Sequence, residues 1–412
     1  MRNPEKIIFY FFPLLFTYIA FVGLVIPKGS IATKIIGVCF FLILIYICIR
    51  HTYIYNFKLI YSYLIFVLVL CAFSSKLDDS IRGFIGMCTG ILMFIVSFTI
   101  INNKIRLKML LNSLGIVALL YLSNILIANF FKLGGTPYSE DGLHTGNVFT
   151  EGLNSMAYIV ITFPLFIYFH PKRKTLIYFA VGLLIILIIV QLKRISIIAM
   201  SVGLIFYIIF YKEKTKSFVA SLLILLVFGL LFPLFENKFN TVYKERESKL
   251  KIENYKNEGR YTETSLVFNM TVNSNKLTQF LFGKEVFNSP GNYNNPLSNK
   301  RQIHSDYNLL LHGTGVFGIL FYFILQLHLL LWFYKLRKEL KDSGSNDEII
   351  TFLNYLFPAV FFMGLVIMIS GGINSPLFNS IRYAILGSSI GYMFKLVEEY
   401  KKNQNAKNHA IY

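Results

Sequence analysis

Apolar runs long enough to cross a bilayer recur along the chain, at about 7–26, 35–49, 59–73, 84–101, 109–131, 153–169, 175–192, 195–211, 217–235, 309–334, 349–370 and 377–396. Short polar or basic stretches separate them. A hydrocarbon core of about 30 Å takes roughly 20 helical residues, so the pattern predicts about twelve spans, of which the second and third are short. Inside lipid a spanning segment must satisfy its own backbone N–H and C=O groups, so each run is expected to be a helix. The first run, in "MRNPEKIIFYFFPLLFTYIAFVGLVI", is followed by no small-residue cleavage site and reads as a retained span.

One segment breaks the rhythm. Residues 236–305 are too long and too polar for a plain connector. Within them "TSLVFNMTVNSNKLTQFLF" spaces Leu266, Val267, Met270, Leu277 and Leu281 about as one helical face requires, which predicts a helical cap on the membrane surface. The predicted architecture is an all-α polytopic membrane protein with its one large extracytoplasmic loop between the ninth and tenth spans. Residues 1–235 hold nine spans, 236–305 the loop, 306–396 three more spans, and 397–412 a cytoplasmic tail.

Orientation follows from lysine and arginine. Arg50 and Lys58; Lys104, Arg106 and Lys108; Lys172, Arg173 and Lys174; Lys212, Lys214 and Lys216; and Lys335, Arg337, Lys338 and Lys341 fall on one side, with Arg2, Lys6, Lys401 and Lys402. The opposite loops are poorer, and the positive-inside bias therefore places both termini in the cytoplasm. Long loops translocate largely regardless of charge, so the basic 236–305 segment is expected outside.

Composition agrees with lipid as the solvent: 55% of the 412 residues are hydrophobic. A net charge of +19 would suggest nucleic acid in a soluble protein. Here the basic residues flank apolar runs, where they orient helices and meet anionic headgroups, so nucleic acid is not an expected partner and membrane lipid is. Cys39, Cys48, Cys71 and Cys88 all lie in apolar runs without metal-ligand spacing and read as small buried hydrophobes.

Several residues carry candidate chemistry. Lys193 and Arg194 interrupt a nearly unbroken apolar stretch at a tight outer turn, where charge works against the positive-inside bias. Either they aim a cation at an outer anion or they snorkel to headgroups. Arg260 stands in "NEGRYTETS" just before the loop helix, and helix starts favour phosphate. His304 closes a charged run immediately before a span, either as a general base or as a polar residue at a helix start. Asp306, two residues on, would orient it or cap the helix. Gly313, Gly315 and Gly318 follow at a spacing that lets this helix pack closely on a neighbour. Asn154 opens a span, as a substrate contact or a cap, and Arg382 is an ionisable group at membrane depth. The loop carboxylates Glu140, Asp141 and Glu151, near His144, read as solvated loop residues.

In combination, "TGNVFTEGLNSMAY", "KRISIIAMSVG", "GRYTETSLVF" and "HSDYNLLLHGTGVFG" resemble the O-antigen polymerase and ligase family over roughly residues 145–335. The resemblance matches Gly146, Asn154, Arg194, Arg260 and His304. It departs in lacking the tryptophan usual downstream of the loop Gly-Arg, where Phe268 stands instead. It also has His304-Ser305-Asp306-Tyr307 where the ligase branch more often has His-Asn, which favours the polymerase.

The resemblance implies a glycosyltransferase joining polyprenyl-diphosphate-linked repeat units at the outer face of the bacterial cytoplasmic membrane, for O-antigen, capsule or exopolysaccharide. It implies that Arg194 and Arg260 meet the diphosphate and that His304 takes the acceptor proton. Lys193, Asn154, Asp306, Tyr307 and Arg382 stand as supporting residues. It requires no metal or cofactor, and points to a chain-length regulator and a flippase as partners. The alternatives are an O-antigen ligase acting on lipid A–core, a twelve-helix secondary transporter, and a peptidoglycan polymerase of the elongation-division type.

Overall fold

The computed structural model describes residues 4–25, 31–51, 57–134, 144, 146, 150–190, 194–210, 259–287, 303–345, 347–373 and 375–409. The named elements among them are helices: α1 (Pro4–Val25), α2 (Ile31–His51), α3 (Lys58–Ala72), α4 (Leu77–Ile100), α5 (Lys104–Phe130), α6 (Thr150–Ile161), α7 (Phe163–Phe169), α8 (Lys174–Val190), α9 (Arg194–Phe210), α10 (Gly259–Thr271), α11 (Leu277–Phe282), α12 (Asp306–Asp342), α13 (Glu348–Ile367) and α14 (Pro376–His409). Four of these (α4, α5, α12, and α13 with the 3₁₀ turn that follows it) are long and apolar enough to cross a membrane, and α6 with α7 makes a fifth if the bent pair is one span. The expected run at 217–235 lies outside the described residues, as do Lys193 and most of the long loop.

Helix α4 is the centre of the bundle. Of its most apolar stretch 89% is buried, against 33% for α12, so α4 is surrounded by protein while α12 turns one side outward. Its main neighbour is α14. Gly387 and Gly391, one turn apart on α14, let the two backbones meet, since a Cβ at either would overlap the carbonyl of Phe94 or Phe98. Helix α9 packs on α13 through the stacked rings of Phe206 and Phe362, whose centroids are 4.4 Å apart. Large apolar side chains such as Leu126, Phe130 and Ile49 point outward. In water they would be a liability; in lipid they are in their own solvent.

The turn between α4 and α5 shows how sequence becomes structure. Asn103 accepts a hydrogen bond from the Arg106 amide at 2.9 Å, capping α5. Arg106 Nη1 donates to the Ile100 carbonyl at 3.1 Å, at the end of α4. A basic side chain at a helix C-terminus meets the free carbonyls there, so the basic turn also joins two helices.

Two expectations need correction and two are refined. The run at 153–169 is not straight: it bends by 53° at Thr162, where Pro164 removes a donor from the helix. The loop helix is not one continuous amphipathic cap. "VNSNK" breaks it, with Ser274 Oγ accepting the Lys276 amide and Gln279 Nε2 donating to the Met270 carbonyl. Its two halves, α10 and α11, pack on α12, and Leu277 is left exposed. The Gly313–Gly318 stretch does not serve a helix–helix contact alone. Gly315 adopts φ 66° and kinks α12, and its backbone lies against Leu281 and Gly283. Cys39 is exposed, unlike the other three cysteines.

Candidate functional site at the start of helix α12

Helix α12 begins where three segments meet. The first of the four backbone N–H groups at a helix start have no partner within the helix and attract negative charge. Here the carboxylate of Glu263, fully buried on α10, supplies it. It accepts from the His304 amide at 3.1 Å, the Ser305 amide at 3.0 Å and Asn308 Nδ2 at 3.2 Å. Asn308 Nδ2 also reaches Thr264 Oγ1 at 3.0 Å, so two consecutive residues of α10 grip one turn of α12. The His304 side chain is 47% exposed, with Nδ1 3.8 Å from Glu263 Oε2.

Asp306 does not do what its position suggested. It neither orients His304 nor caps α12. Its carboxylate points to the other side, accepting from the Gly372 amide at 2.9 Å and the Ile373 amide at 3.0 Å. Asn379 Nδ2 donates to the carbonyls of the same two residues. The turn between α13 and α14 is therefore held from both ends of its peptide groups. It needs glycine, since Gly371 has φ 89° and its Cα lies against the His304 carbonyl. Glu263 and Asp306 thus dock opposite sides of one helix start.

Below this lies a second polar group. Arg382 on α14 is buried, and its Nη2 donates to Gln326 Oε1 of α12 at 3.2 Å. Gln326 Nε2 in turn donates to Tyr383 Oη, and Tyr322 Oη meets the Met368 sulfur at 3.2 Å. Tyr307 Oη donates to the Leu365 carbonyl at 2.8 Å, and its ring stacks on Phe323. Asn154 is buried within α6 and accepts from Ser196 Oγ at 2.6 Å, so it is no helix cap and ties α6 to the start of α9.

The other expected residues are placed by backbone only. Arg194 is the first residue of α9, two before Ser196, and Arg260 is the second of α10, one turn before Glu263. His144 is held by its main chain to Asn129 and by its ring to the Gly134 carbonyl at 3.0 Å, which closes the loop onto the end of α5. Glu140 and Asp141 lie outside the described residues. Among the described residues no group of three His, Cys, Asp or Glu side chains gathers as metal ligands would.

No family model matches the chain, and no curated protein matches it significantly.

The site therefore rests on its own geometry. Sequence reading selected His304, Asp306, Tyr307 and Arg382 but missed Glu263, Asn308 and Gln326. For Glu263 the signal was weak: an acid in the first turns of the loop helix, in a segment that holds several other glutamates. For Gln326, deep in an apolar run, the signal was its being the single amide among leucines and phenylalanines.

Proposed function

We propose that the chain is a multi-pass bacterial glycosyltransferase that joins polyprenyl-diphosphate-linked oligosaccharide repeat units at the outer face of the cytoplasmic membrane. The observation that carries this reading is the solvent-facing imidazole of His304, mounted on a helix start whose backbone is gripped by a buried carboxylate. A general base needs access from solvent and a rigid mount; the His304 side chain is half exposed, and its backbone amide is held by Glu263. In this reading the chain has about twelve spans with both termini cytoplasmic, and the loop at 236–305 is external.

The base takes the proton of an acceptor hydroxyl as that oxygen attacks the anomeric carbon of the donor glycan. The bond from that carbon to the diphosphate breaks, and the leaving diphosphate carries the charge away. Arg194 and Arg260, each at a helix start, meet that charge, because a guanidinium fork matches phosphate oxygens. A chain-length regulator and a flippase are the partners such an enzyme works beside.

Replacing His304 with Ala tests the reading in cells. The side chain is half exposed, so the variant should insert and fold as the parent does. Single repeat units should still be made and flipped, and a ladder of polymer lengths should collapse to one unit. His304→Gln keeps a hydrogen-bonding side chain that cannot accept a proton onto a basic nitrogen. A full ladder from the Gln variant would overturn the base role.

A further inference from the structure

Arg382 has no ion-pair partner among the described residues. It is 1% exposed, six residues into α14, about 9 Å along that helix. One amide oxygen accepts from it, that of Gln326. Nη1 faces the Met368 thioether at 3.9 Å, a weak acceptor, the Tyr322 hydroxyl is a further hydrogen-bonding neighbour, and Nε has no acceptor among the described residues. The guanidinium carbon lies 5.2 Å from the Tyr383 ring centre, and Tyr158, Tyr322 and Tyr383 are its electrostatic neighbours. The Tyr158 hydroxyl is likewise buried without a hydrogen-bond partner.

Among the described residues no carboxylate is in ion-pair range of the guanidinium. Asp306 shares the neighbourhood, since it and Arg382 both act on Tyr158, but the Gly372 and Ile373 amides occupy its oxygens. Gly364 leaves the room that the group fills, because a Cβ there would overlap Nε.

Arginine cannot shed its charge as a buried lysine can. An unpaired buried cation costs several kcal/mol, and an ionisable group at membrane depth ordinarily faces a partner or a substrate. We infer that Arg382, with the Tyr158 hydroxyl, is the receptor for a phosphate anion carried on a membrane lipid. Phosphate oxygens accept from a guanidinium in pairs, which supplies the acceptor that Nε lacks and gives Nη1 a stronger one than the Met368 sulfur. Binding would require Met368, whose sulfur lies against Nη1 and accepts from Tyr322 Oη, to give way by a change of rotamer. The lipid is an isoprenoid diphosphate, a choice that rests on the proposed function; the phosphate site itself does not.

The test uses the full chain in nanodiscs of phosphatidylcholine alone. Geranylgeranyl diphosphate is the probe and geranylgeraniol its uncharged control, with binding read from thermal unfolding. The diphosphate should stabilise the wild type and the alcohol should not. Arg382→Met should weaken diphosphate binding at least tenfold, yet unfold at the same or a higher temperature without ligand, because it removes an unpaired charge. A structural staple would behave oppositely, and lower unliganded stability with unchanged binding overturns the inference. Should the Met variant fail to fold, Tyr158→Phe removes only one hydroxyl and should weaken binding several-fold at unaltered unliganded stability; wild-type binding there overturns it. Competition by phosphatidylglycerol would uphold the phosphate site and assign it to a headgroup. Absence of competition would assign it to the isoprenoid carrier, whatever becomes of His304 in the transfer assay.

Discussion

Replacing Glu263 with Gln perturbs charge at constant size. The carboxylate accepts from two backbone amides and one side-chain amide, at 3.0–3.2 Å. Gln can keep Oε1 as an acceptor for all three, so what is lost is the charge on each bond. A hydrogen bond to a charged group contributes about 1.5–3 kcal/mol and a neutral one about 0.5–1.5, a difference of roughly 1 kcal/mol per bond. The lost attraction between a carboxylate and a helix N-terminus adds about 0.5 kcal/mol. Against this, a neutral amide costs less to bury than a carboxylate, which offsets part of the sum. The net should be about 2 kcal/mol, concentrated where α10 docks on the start of α12. Amide hydrogen exchange is the assay, because local opening at 303–309 is read apart from global unfolding. Two kcal/mol corresponds to roughly thirtyfold faster exchange there, with α4 unchanged. Equal protection in Glu263→Gln and parent would refute the claim that the carboxylate holds this junction. A uniform loss reaching α4 would refute its local character.

Three further outcomes are expected. Arg194→Lys and Arg260→Lys keep the charge but lose the fork, so polymer formation should fall on the order of a hundredfold, about 3 kcal/mol; wild-type polymer yield from both would leave them as headgroup contacts. His170 sits outside the spans with Nε2 2.7 Å from Asn112 Oδ1, and burial, then Lys108 and Arg173, hold its pKa below the ordinary 6.5. The unfolded chain then binds its proton first, so this contribution to stability is full above pH 6.5 and is lost as pH falls through and below that value. His170→Gln should flatten the acid slope of thermal stability, and an unchanged slope would remove His170 as its source. Gly315→Ala should cost about 1–3 kcal/mol, because φ 66° with ψ −168° is open to glycine alone and the new methyl meets the Leu281 carbonyl; thermal unfolding measures it, and an unchanged midpoint would mean that the kink is not required.

Hydrophobic periodicity made the helices legible where a run's own chemistry decides its structure. The runs at 84–101, 109–131, 175–192 and 195–211 appear as α4, α5, α8 and α9, with α4 and α5 each beginning some residues earlier because their first turns are polar. The start of α12 at Asp306 was also legible, from the switch of a charged run into an apolar one. Less legible was anything that depends on two segments at once. The five apolar residues of the loop helix fitted one face, but "VNSNK" between them has side chains that bond to nearby backbone, and that local competition won. Three glycines in a row of six residues looked like a packing surface, yet one of them carries a left-handed φ that no spacing reveals.

Polar residues pose the harder problem, because a sequence shows their chemistry and not their partner. Asp306 stands two residues from His304, which invites pairing the two. His304 lies before the helix that Asp306 opens, and the Asp306 carboxylate turns to the Gly372 and Ile373 amides. The chain solves this from elsewhere: Glu263, forty-one residues earlier, reaches the His304 side of the helix start, while Asp306 serves the 371–373 turn on the other. Each carboxylate accepts backbone amides. Arg382 has no such arrangement, although Asp306 is close enough to share a tyrosine with it. Had the chain needed only a neutral core at that depth, the carboxylate already in the neighbourhood was the cheap way to make one. It is spent on two backbone amides instead, which leaves the guanidinium's charge to be matched by something that the described residues do not contain.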